Sequence, residues 1–121
     1  MVTAVLLIAH GSRRAEANHD LLEVAQRLVE TSEYDIVIAS YLELADPSIP
    51  AGAAECVKAG ADNILMMPYF LSAGSHVMRD LQRFRDELRE RYPTQNFTLC
   101  PPLGLHPLMI DIVQDRLREE L

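Results

Sequence analysis

Strand-like and helix-like segments alternate along the whole of this chain. The first segment, TAVLLIA at Thr3–Ala9, is a continuous apolar run, which is typical of a strand buried on both faces of a sheet. Further strands are predicted at Asp35–Tyr41, Asn63–Met67 and Asn96–Cys100. The order βαβαβαβα predicts an α/β fold in which a four-stranded parallel sheet carries helices on both faces.

Helix-like segments fill the intervals between these strands. Predicted helices span about Ala15–Thr31, Pro47–Ala59, Ser75–Arg91 and His106–Leu121. The third is the clearest, because its apolar residues share one helical face and a proline follows its end. That stripe consists of Val77, Leu81, Phe84 and Leu88. The fourth helix has a similar stripe at Ile110, Val113, Leu117 and Leu121.

The length and charge of the chain restrict what it can be. Its 121 residues fit a single domain, residues 1–121, without room for a second lobe. The net charge of −7 argues against binding to nucleic acid or to an anionic membrane surface. No apolar run approaches the roughly 20 residues of a membrane helix. The apolar start also lacks the basic region and the cleavage site of a signal peptide.

The two cysteines give no sign of a metal-finger or disulfide framework. Cys56 and Cys100 lie far apart and form no CxxC motif. Free thiols are typical of proteins in a reducing compartment. Together with the missing signal peptide, they predict a cytoplasmic protein.

Three residues with chemical potential recur at a constant interval. His10, Glu43 and His76 are each separated by 33 residues, close to the roughly 30 residues that a strand, a crossover helix and their loops require. All three therefore fall in the loops beyond the carboxyl ends of strands, where open α/β sheets bind ligands. Two imidazoles and a carboxylate suit a divalent transition metal or acid–base chemistry. Taken singly, His10 would also fit a core histidine and Glu43 a surface glutamate.

The residues after His10 suggest an anion site. Gly11 allows a tight turn, and Ser12 is a suitable cap for the following helix. The free N–H groups of that helix start and the guanidinium groups of Arg13 and Arg14 are suited to carboxylates or phosphates. A solvated helix start is the simpler alternative.

The segment before His76 is apolar for a loop and then turns flexible at Gly74 and Ser75. Such a segment is expected to line a pocket and to move. Arg79 follows closely enough to face a ligand there, whereas Arg83 and Arg85 are expected to be surface charges.

His106 also falls in the loop phase, in the motif LGLHPLM. It is either a site residue or only a cap of the closing helix, because Pro107 suits the first helical position. His19 lies among polar neighbours inside the first helix and is expected to be solvated.

Four segments of the sequence resemble one known family. LLIAHGSRRAEAN, YLELADPSIP, PYFLSAGSHVMRDL and LGLHPLM are similar to segments of the short sirohydrochlorin chelatases, and the resemblance runs from about Val5 to Met109. These enzymes belong to the class II, ATP-independent chelatases. The class includes the cobalt chelatase of anaerobic cobalamin synthesis and the ferrochelatase of sirohaem synthesis.

The resemblance implies a flavodoxin-like chelatase fold and insertion of a divalent metal into sirohydrochlorin, with Co²⁺ expected first and Fe²⁺ or Ni²⁺ as other possibilities. It implies that His10 and His76 bind the metal and that one or both of them accept pyrrole protons, with Glu43 as the acidic site residue. The metal is then a substrate, and no tightly bound cofactor is expected. No cysteine-rich tail is present, so no iron–sulfur cluster is expected.

The resemblance also bears on partners. Sirohydrochlorin is rich in carboxylates, and the residues expected to contact it are Ser12, Arg13, Arg14, Gly74, Ser75 and Arg79. The family's short members complete the substrate cleft as homodimers. A narrow sheet has two open edges, so a partner subunit is expected to cover one of them.

Other functions compete with this interpretation. Histidine phosphatases also place His–Gly after a first strand, but they need an arginine immediately before the histidine, and Ala9 occupies that place. A non-catalytic metal or tetrapyrrole carrier remains open, because ligands for storage and for insertion look alike. A plain flavodoxin-like binding module would leave the motifs around His10 and His76 unexplained.

Overall fold

The computed structural model describes all residues, 1–121, and confirms the predicted alternation. The strands are β1 (Thr3–Ala9), β2 (Ile36–Tyr41), β3 (Asn63–Pro68) and β4 (Asn96–Leu99). The helices are α1 (Ala15–Thr31), α2 (Ile49–Lys58), α3 (Ser75–Arg91) and α4 (Pro107–Glu119). The four strands form one parallel sheet in the order β2-β1-β3-β4.

Side-chain caps explain where α2 and α4 begin. Helix α2 starts after Ser48, whose hydroxyl oxygen accepts a hydrogen bond from the N–H of Ala51 at 3.3 Å, so the predicted start at Pro47 was two residues early. Helix α4 starts at Pro107, because His106 caps it through Nδ1, which accepts from the N–H of Leu108 at 3.1 Å.

The sheet has helices on both faces, as predicted. On one face α2 and α3 pack on the sheet around a core of aliphatic and aromatic side chains that includes Leu6, Ile64, Leu81 and Phe97. On the other face α1 packs over β1 and β2. Its Leu21 and Ala25, together with Val5 and Ala39, form a second, smaller core.

The β3–β4 half of the α1 face has no helix over it. Leu65 and Thr98 are only partly buried or exposed there, whereas their neighbours on the opposite face, Ile64 and Phe97, are buried. A cavity of about 700 Å³ opens on this side of the sheet, lined by Thr3, Asn63, Leu65 and Thr98 among others. We call this region, defined by those four residues, the open face.

Helix α4 is present as predicted, but it buries none of its residues. Its predicted apolar stripe is exposed to solvent, at 57% for Ile110, 52% for Val113 and 64% for Leu117. A helix of this length gains most of its stability from packing an apolar face. The structure therefore leaves the apolar stripe of α4 and a stretch of the sheet uncovered in the same chain. None of the helices is long and apolar enough to cross a membrane.

Candidate metal-binding site

The pairing of β1 with β2 sets the geometry of the candidate site. Ala9 lies opposite Tyr41 in the parallel ladder. Beyond the strands, the N–H of Leu42 donates to the carbonyl of Ala9 at 3.0 Å, and the N–H of Glu43 donates to the carbonyl of His10 at 3.1 Å. The ladder thus continues into both loops, and it brings His10 and Glu43 side by side.

Their side chains are in contact. His10 Nε2 lies 3.0 Å from Glu43 Oε1, and both side chains are 58% exposed. An ionised carboxylate only accepts hydrogen bonds, so Nε2 carries the hydrogen in this contact. The neutral imidazole then presents the lone pair of Nδ1. An accessible imidazole nitrogen beside a carboxylate is suited to holding a divalent metal or a proton.

His76 is not part of this contact. It is the second residue of α3 and is exposed, and a loop over residues 69–74 separates it from β3. No group of three His, Cys, Asp or Glu side chains lies close enough together to hold a metal ion. The structure thus brings together two of the three predicted ligands, and the part of His76 stays a prediction.

Gly11 permits the close approach of the two loops. Its φ is +98°, a conformation that L side chains rarely adopt. A Cβ at this position would lie 1.7 Å from the carbonyl oxygen of Glu43. Only glycine therefore lets the chain after His10 pass directly beneath Glu43.

The prediction that Ser12 caps α1 is wrong. The N-cap residue is Arg14, and no side chain caps this helix. The hydroxyl oxygen of Ser12 instead accepts from the N–H of Arg14 at 3.0 Å, because a serine in a tight turn bonds most readily two residues onward. The first turn of α1 thus keeps uncapped N–H groups, which favour an anion.

Asn18, which we did not predict as important, ties this loop to α1. Its Oδ1 accepts from the N–H of Ser12 at 2.9 Å, and its Nδ2 donates to the carbonyl of Ser12 at 2.7 Å. Tyr41, at the end of β2, donates its hydroxyl to the carbonyl of Asn18 at 2.8 Å. The sequence signal was weak: asparagine is a poor residue for a helix interior and prefers local bonds to backbone.

Three arginines differ from all the others in lacking a partner within the chain. Arg13, Arg14 and Arg79 are exposed and form no salt bridge. Each remaining arginine contacts a carboxylate, a backbone carbonyl or an aromatic ring, as seen for Arg27, Arg83, Arg85, Arg89, Arg91, Arg116 and Arg118. The three free guanidinium groups are those predicted to grip an anionic ligand.

Gly74 and Ser75 lie where they were predicted, at the start of α3. Gly74 is the N-cap residue and Ser75 the first helical residue, and no side chain caps this helix either. Both are exposed. His106 acts as a cap, in line with the simpler of its two predicted roles.

Two of the cavities are candidates for a ligand site. One of about 450 Å³ adjoins the His10 loop and is lined by Ser12, Arg13, Asn18, Tyr41 and Leu44 among others. The larger one, on the open face, is lined by residues from the opposite ends of the strands, and none of the predicted site residues is among them. We give more weight to the smaller cavity, because it lies beside titratable groups at the carboxyl ends of the strands.

The cysteines take no part in the site. Burial raises the pKa of Cys56 to about 12, and nearby Glu55 adds to the rise. Burial also raises the pKa of Cys100. Both thiols are free, and both are protonated at neutral pH, the form that neither attacks nor binds metal well.

Comparison with known proteins identifies the class. The CbiX family model matches residues 4–120, so the chain belongs to the CbiX family. It is 33% identical to the chloroplastic sirohydrochlorin ferrochelatase of Arabidopsis thaliana, over 94% of this chain and 51% of the relative. It is 31% identical to the sirohydrochlorin cobaltochelatase of Priestia megaterium, over 98% of this chain and 39% of the relative. The chain thus spans about half or less of the length of these curated relatives.

A solved structure shares the fold. The sirohydrochlorin chelatase SirB from Bacillus subtilis subspecies spizizenii, in complex with cobalt, superposes with a TM-score of 0.90 at 27% identity. The superposition covers 98% of this chain and 51% of the other. The predicted chelatase-type α/β fold is thereby confirmed.

Proposed function

We propose that this protein is a sirohydrochlorin chelatase, which inserts a divalent metal ion into the tetrapyrrole without ATP. The observation that carries the proposal is the contact between His10 and Glu43, 3.0 Å apart, at the ligand-binding edge of a CbiX-family sheet. Relatives are named for iron and for cobalt. We expect Co²⁺ as the metal, with Fe²⁺ or Ni²⁺ as the alternatives. We further infer that residues 1–121 act as one domain in the cytoplasm.

The chemistry requires two pyrrole protons to leave as one metal dication enters, so the charge of the ring core does not change. His10 accepts one proton at Nδ1, the nitrogen left free by the contact with Glu43. The resulting imidazolium is stabilised by the Glu43 carboxylate through Nε2–H. His76 supplies the second imidazole, either as the acceptor of the second proton or as a metal ligand, in which case water takes that proton. Because the protein supplies only a few ligands, coordination positions on the metal stay open, and the metal can pass to the ring.

Three free arginines support an anionic substrate. Arg13 and Arg14 follow His10, and Arg79 lies one helical turn beyond His76. A guanidinium group that has no carboxylate partner within the chain is available for a bidentate bond to a substrate carboxylate. The uncapped starts of α1 and α3, with Ser12, Gly74 and Ser75 beside them, add N–H donors for the same purpose.

The direct test is an anaerobic assay with sirohydrochlorin and Co²⁺, followed by absorption. We expect rapid conversion to the metallated spectrum by the wild type and loss of it in His10→Ala and His76→Ala. His19→Ala is the matched control, because His19 is an exposed histidine on α1 without a predicted role. No rate above the spontaneous reaction, with tight metal or tetrapyrrole binding retained, would favour the carrier alternative.

The substrate grip has its own test. Replacing Arg13 and Arg14 together by alanine should raise the KM for sirohydrochlorin, while the matched pair Arg116→Ala and Arg118→Ala should leave it unchanged. Both of the latter are paired with carboxylates on α4. An unchanged KM in the Arg13/Arg14 variant would rule out these arginines as substrate ligands.

We infer that the protein acts as a homodimer in which α4 of each copy covers the open face of the other. Helix α4 has 13 residues, about 20 Å at 1.5 Å per residue. Strand β3 has 6 residues, also about 20 Å. The uncovered helix and the uncovered sheet are thus matched in length. A twofold exchange would satisfy both at once.

The superposed structure is consistent with this inference. Its match covers 98% of this chain but 51% of the other chain, so about half of that chain is left to supply what a second copy supplies here. A second copy is the partner that carries both complementary surfaces.

Sedimentation equilibrium tests the dimer. We expect twice the chain mass of 13.6 kDa for the wild type and a single mass for Leu117→Glu. Leu22→Glu, at an exposed apolar position on α1, should stay dimeric. A monomeric wild type would overturn the inference, and a dimer that tolerates Leu117→Glu would exclude α4 from the interface. If α4 packs against a different protein and not against a second copy, the purified wild type will be monomeric.

A further inference from the structure

The contact between His10 and Glu43 is too exposed to hold itself in place. Both side chains are 58% exposed, and ion pairs this exposed contribute little to stability. A site that must present one imidazole nitrogen in one direction needs support from groups around it. The question is which residues supply that support.

The segment that follows His10 is anchored by the sheet only where it leaves β1. β1 ends at Ala9, and α1 does not begin until Ala15. The residues between them carry no side-chain helix cap. Left to itself, a segment of this kind has several accessible conformations.

Asn18 closes this segment from the α1 side. Its side-chain amide bonds both backbone groups of Ser12, accepting from the N–H at 2.9 Å and donating to the carbonyl at 2.7 Å. Both bonds are to the same residue, so they fix the position and the orientation of Ser12. Because Ser12 is two residues from His10, the bonds also limit the backbone of His10.

Tyr41, the last residue of β2, connects Asn18 to the strand that leads to Glu43. Its ring is buried at 2% exposure, and its hydroxyl donates to the carbonyl of Asn18 at 2.8 Å. Two residues later the chain reaches Glu43, whose carbonyl lies against Gly11. The loops after β1 and β2 are thereby joined through Asn18 as well as through the ladder.

We propose that Asn18 is a positioning residue, whose two bonds to Ser12 hold His10 against Glu43 with Nδ1 free. This proposal rests on the proposed chelatase function. Asn18 itself is half-buried, and its side-chain amide bonds backbone groups of Ser12. Without the Asn18 amide, the loop after His10 adopts several conformations. Glu43 then no longer fixes the tautomer of His10.

The test compares Asn18→Ala with Arg89→Met. Arg89 is a matched control, because its side chain also makes two bonds to one backbone group, the carbonyl of Phe97, at 3.1 and 2.8 Å. Both variants should lower Tm by a few degrees. Only Asn18→Ala should lower kcat, by about ten- to a hundredfold, with the KM for sirohydrochlorin nearly unchanged.

A second readout does not depend on turnover. Nitrogen-15 NMR of the imidazole should show His10 mainly as the Nε2–H tautomer in the wild type and in Arg89→Met. Asn18→Ala should show a mixture of tautomers. If the wild type has no chelatase activity but the tautomer still changes, the proposed function fails and the positioning role stands. An unchanged tautomer with normal kcat would overturn the positioning role.

Tyr41→Phe provides an intermediate case. It removes one bond to Asn18 and keeps the buried ring, so the fold is retained. We expect a smaller fall in kcat than for Asn18→Ala and a partial change in the His10 tautomer. A Tyr41→Phe protein that loses more activity than Asn18→Ala would contradict the order of support proposed here.

Discussion

The two halves of the α1 face are built in opposite ways. Over β1 and β2, α1 covers the sheet, and the loops beyond those strands are joined through Asn18 and Tyr41. Over β3 and β4 the sheet lies open, and α4, the one helix free to cover it, buries nothing. The first half completes its own packing and presents a site, whereas the second leaves open sheet and the exposed apolar stripe of α4. The residues that support the candidate site and the surface proposed for dimerisation therefore lie in different halves of this face.

The largest effect is expected at Gly11, where the covered half is tightest. Gly11→Ala would place a Cβ 1.7 Å from the carbonyl of Glu43, in a backbone with φ of +98°. We expect activity to be lost and the free energy of unfolding to fall by about 3–5 kcal/mol, measured by urea denaturation.

Gly60→Ala is the control for that substitution. Gly60 has the same φ of +98°, but no atom lies within 4 Å of its Cβ position. It should cost only about 1–2 kcal/mol and leave kcat unchanged. Equal losses in the two variants would show that conformation alone, and not the approach of the loops, requires glycine at position 11.

A pair of leucines sets the two halves against each other directly. Leu7 is buried in the core beneath α1, at 1% exposure, whereas Leu117 on α4 is 64% exposed. We expect Leu7→Ala to lower the free energy of unfolding by about 3 kcal/mol at any protein concentration.

Leu117→Ala should behave differently. In dilute protein its cost should stay below about 0.5 kcal/mol, as for other surface positions. At high concentration the cost should rise, because the variant loses the stabilisation that a partner provides by mass action. A cost that is independent of concentration would mean that α4 packs against nothing in solution.

The sequence predicted the fold better than it predicted the packing. β1 and α3 were found with their observed bounds, because an uninterrupted apolar run and a helical stripe are local patterns. The stripe of α4 was found by the same means, but a stripe does not say what covers it. Its exposure depends on where the chain leaves the sheet, which is not a local property.

The site shows the same division. The equal spacing of His10 and Glu43 predicted their meeting, because parallel neighbours bring equal positions together at one edge. The spacing did not decide the position of His76, since the loop over residues 69–74 sets it. The clamp of Asn18 was missed because one asparagine near a helix start gives no pattern. Ser12 was taken as a cap because the sequence does not tell which N–H its hydroxyl will bond.

A pH-dependent effect is expected at Cys56, which is buried in the core on the opposite face of the sheet. Burial raises its pKa in the folded protein to about 12 from an ordinary value of 9.0. The thiol is protonated in both folded and unfolded chains below pH 9, so its contribution is fully present there. Between pH 9 and about 12 the unfolded chain ionises first, and stability falls as pH rises. At pH 10 the loss from this group is about 1 kcal/mol.

Cys56→Ala isolates that contribution. Tyr41 and Cys100, whose pKa values burial also raises, are present in both proteins and contribute equally. Urea denaturation at pH 8 and pH 10 should therefore show a smaller difference for the variant than for the wild type. If the two differences were the same, Cys56 would ionise as readily in the folded chain as in the unfolded one. The core beneath α2 would then admit water, and the sharp contrast between a sealed face and an open one would not hold.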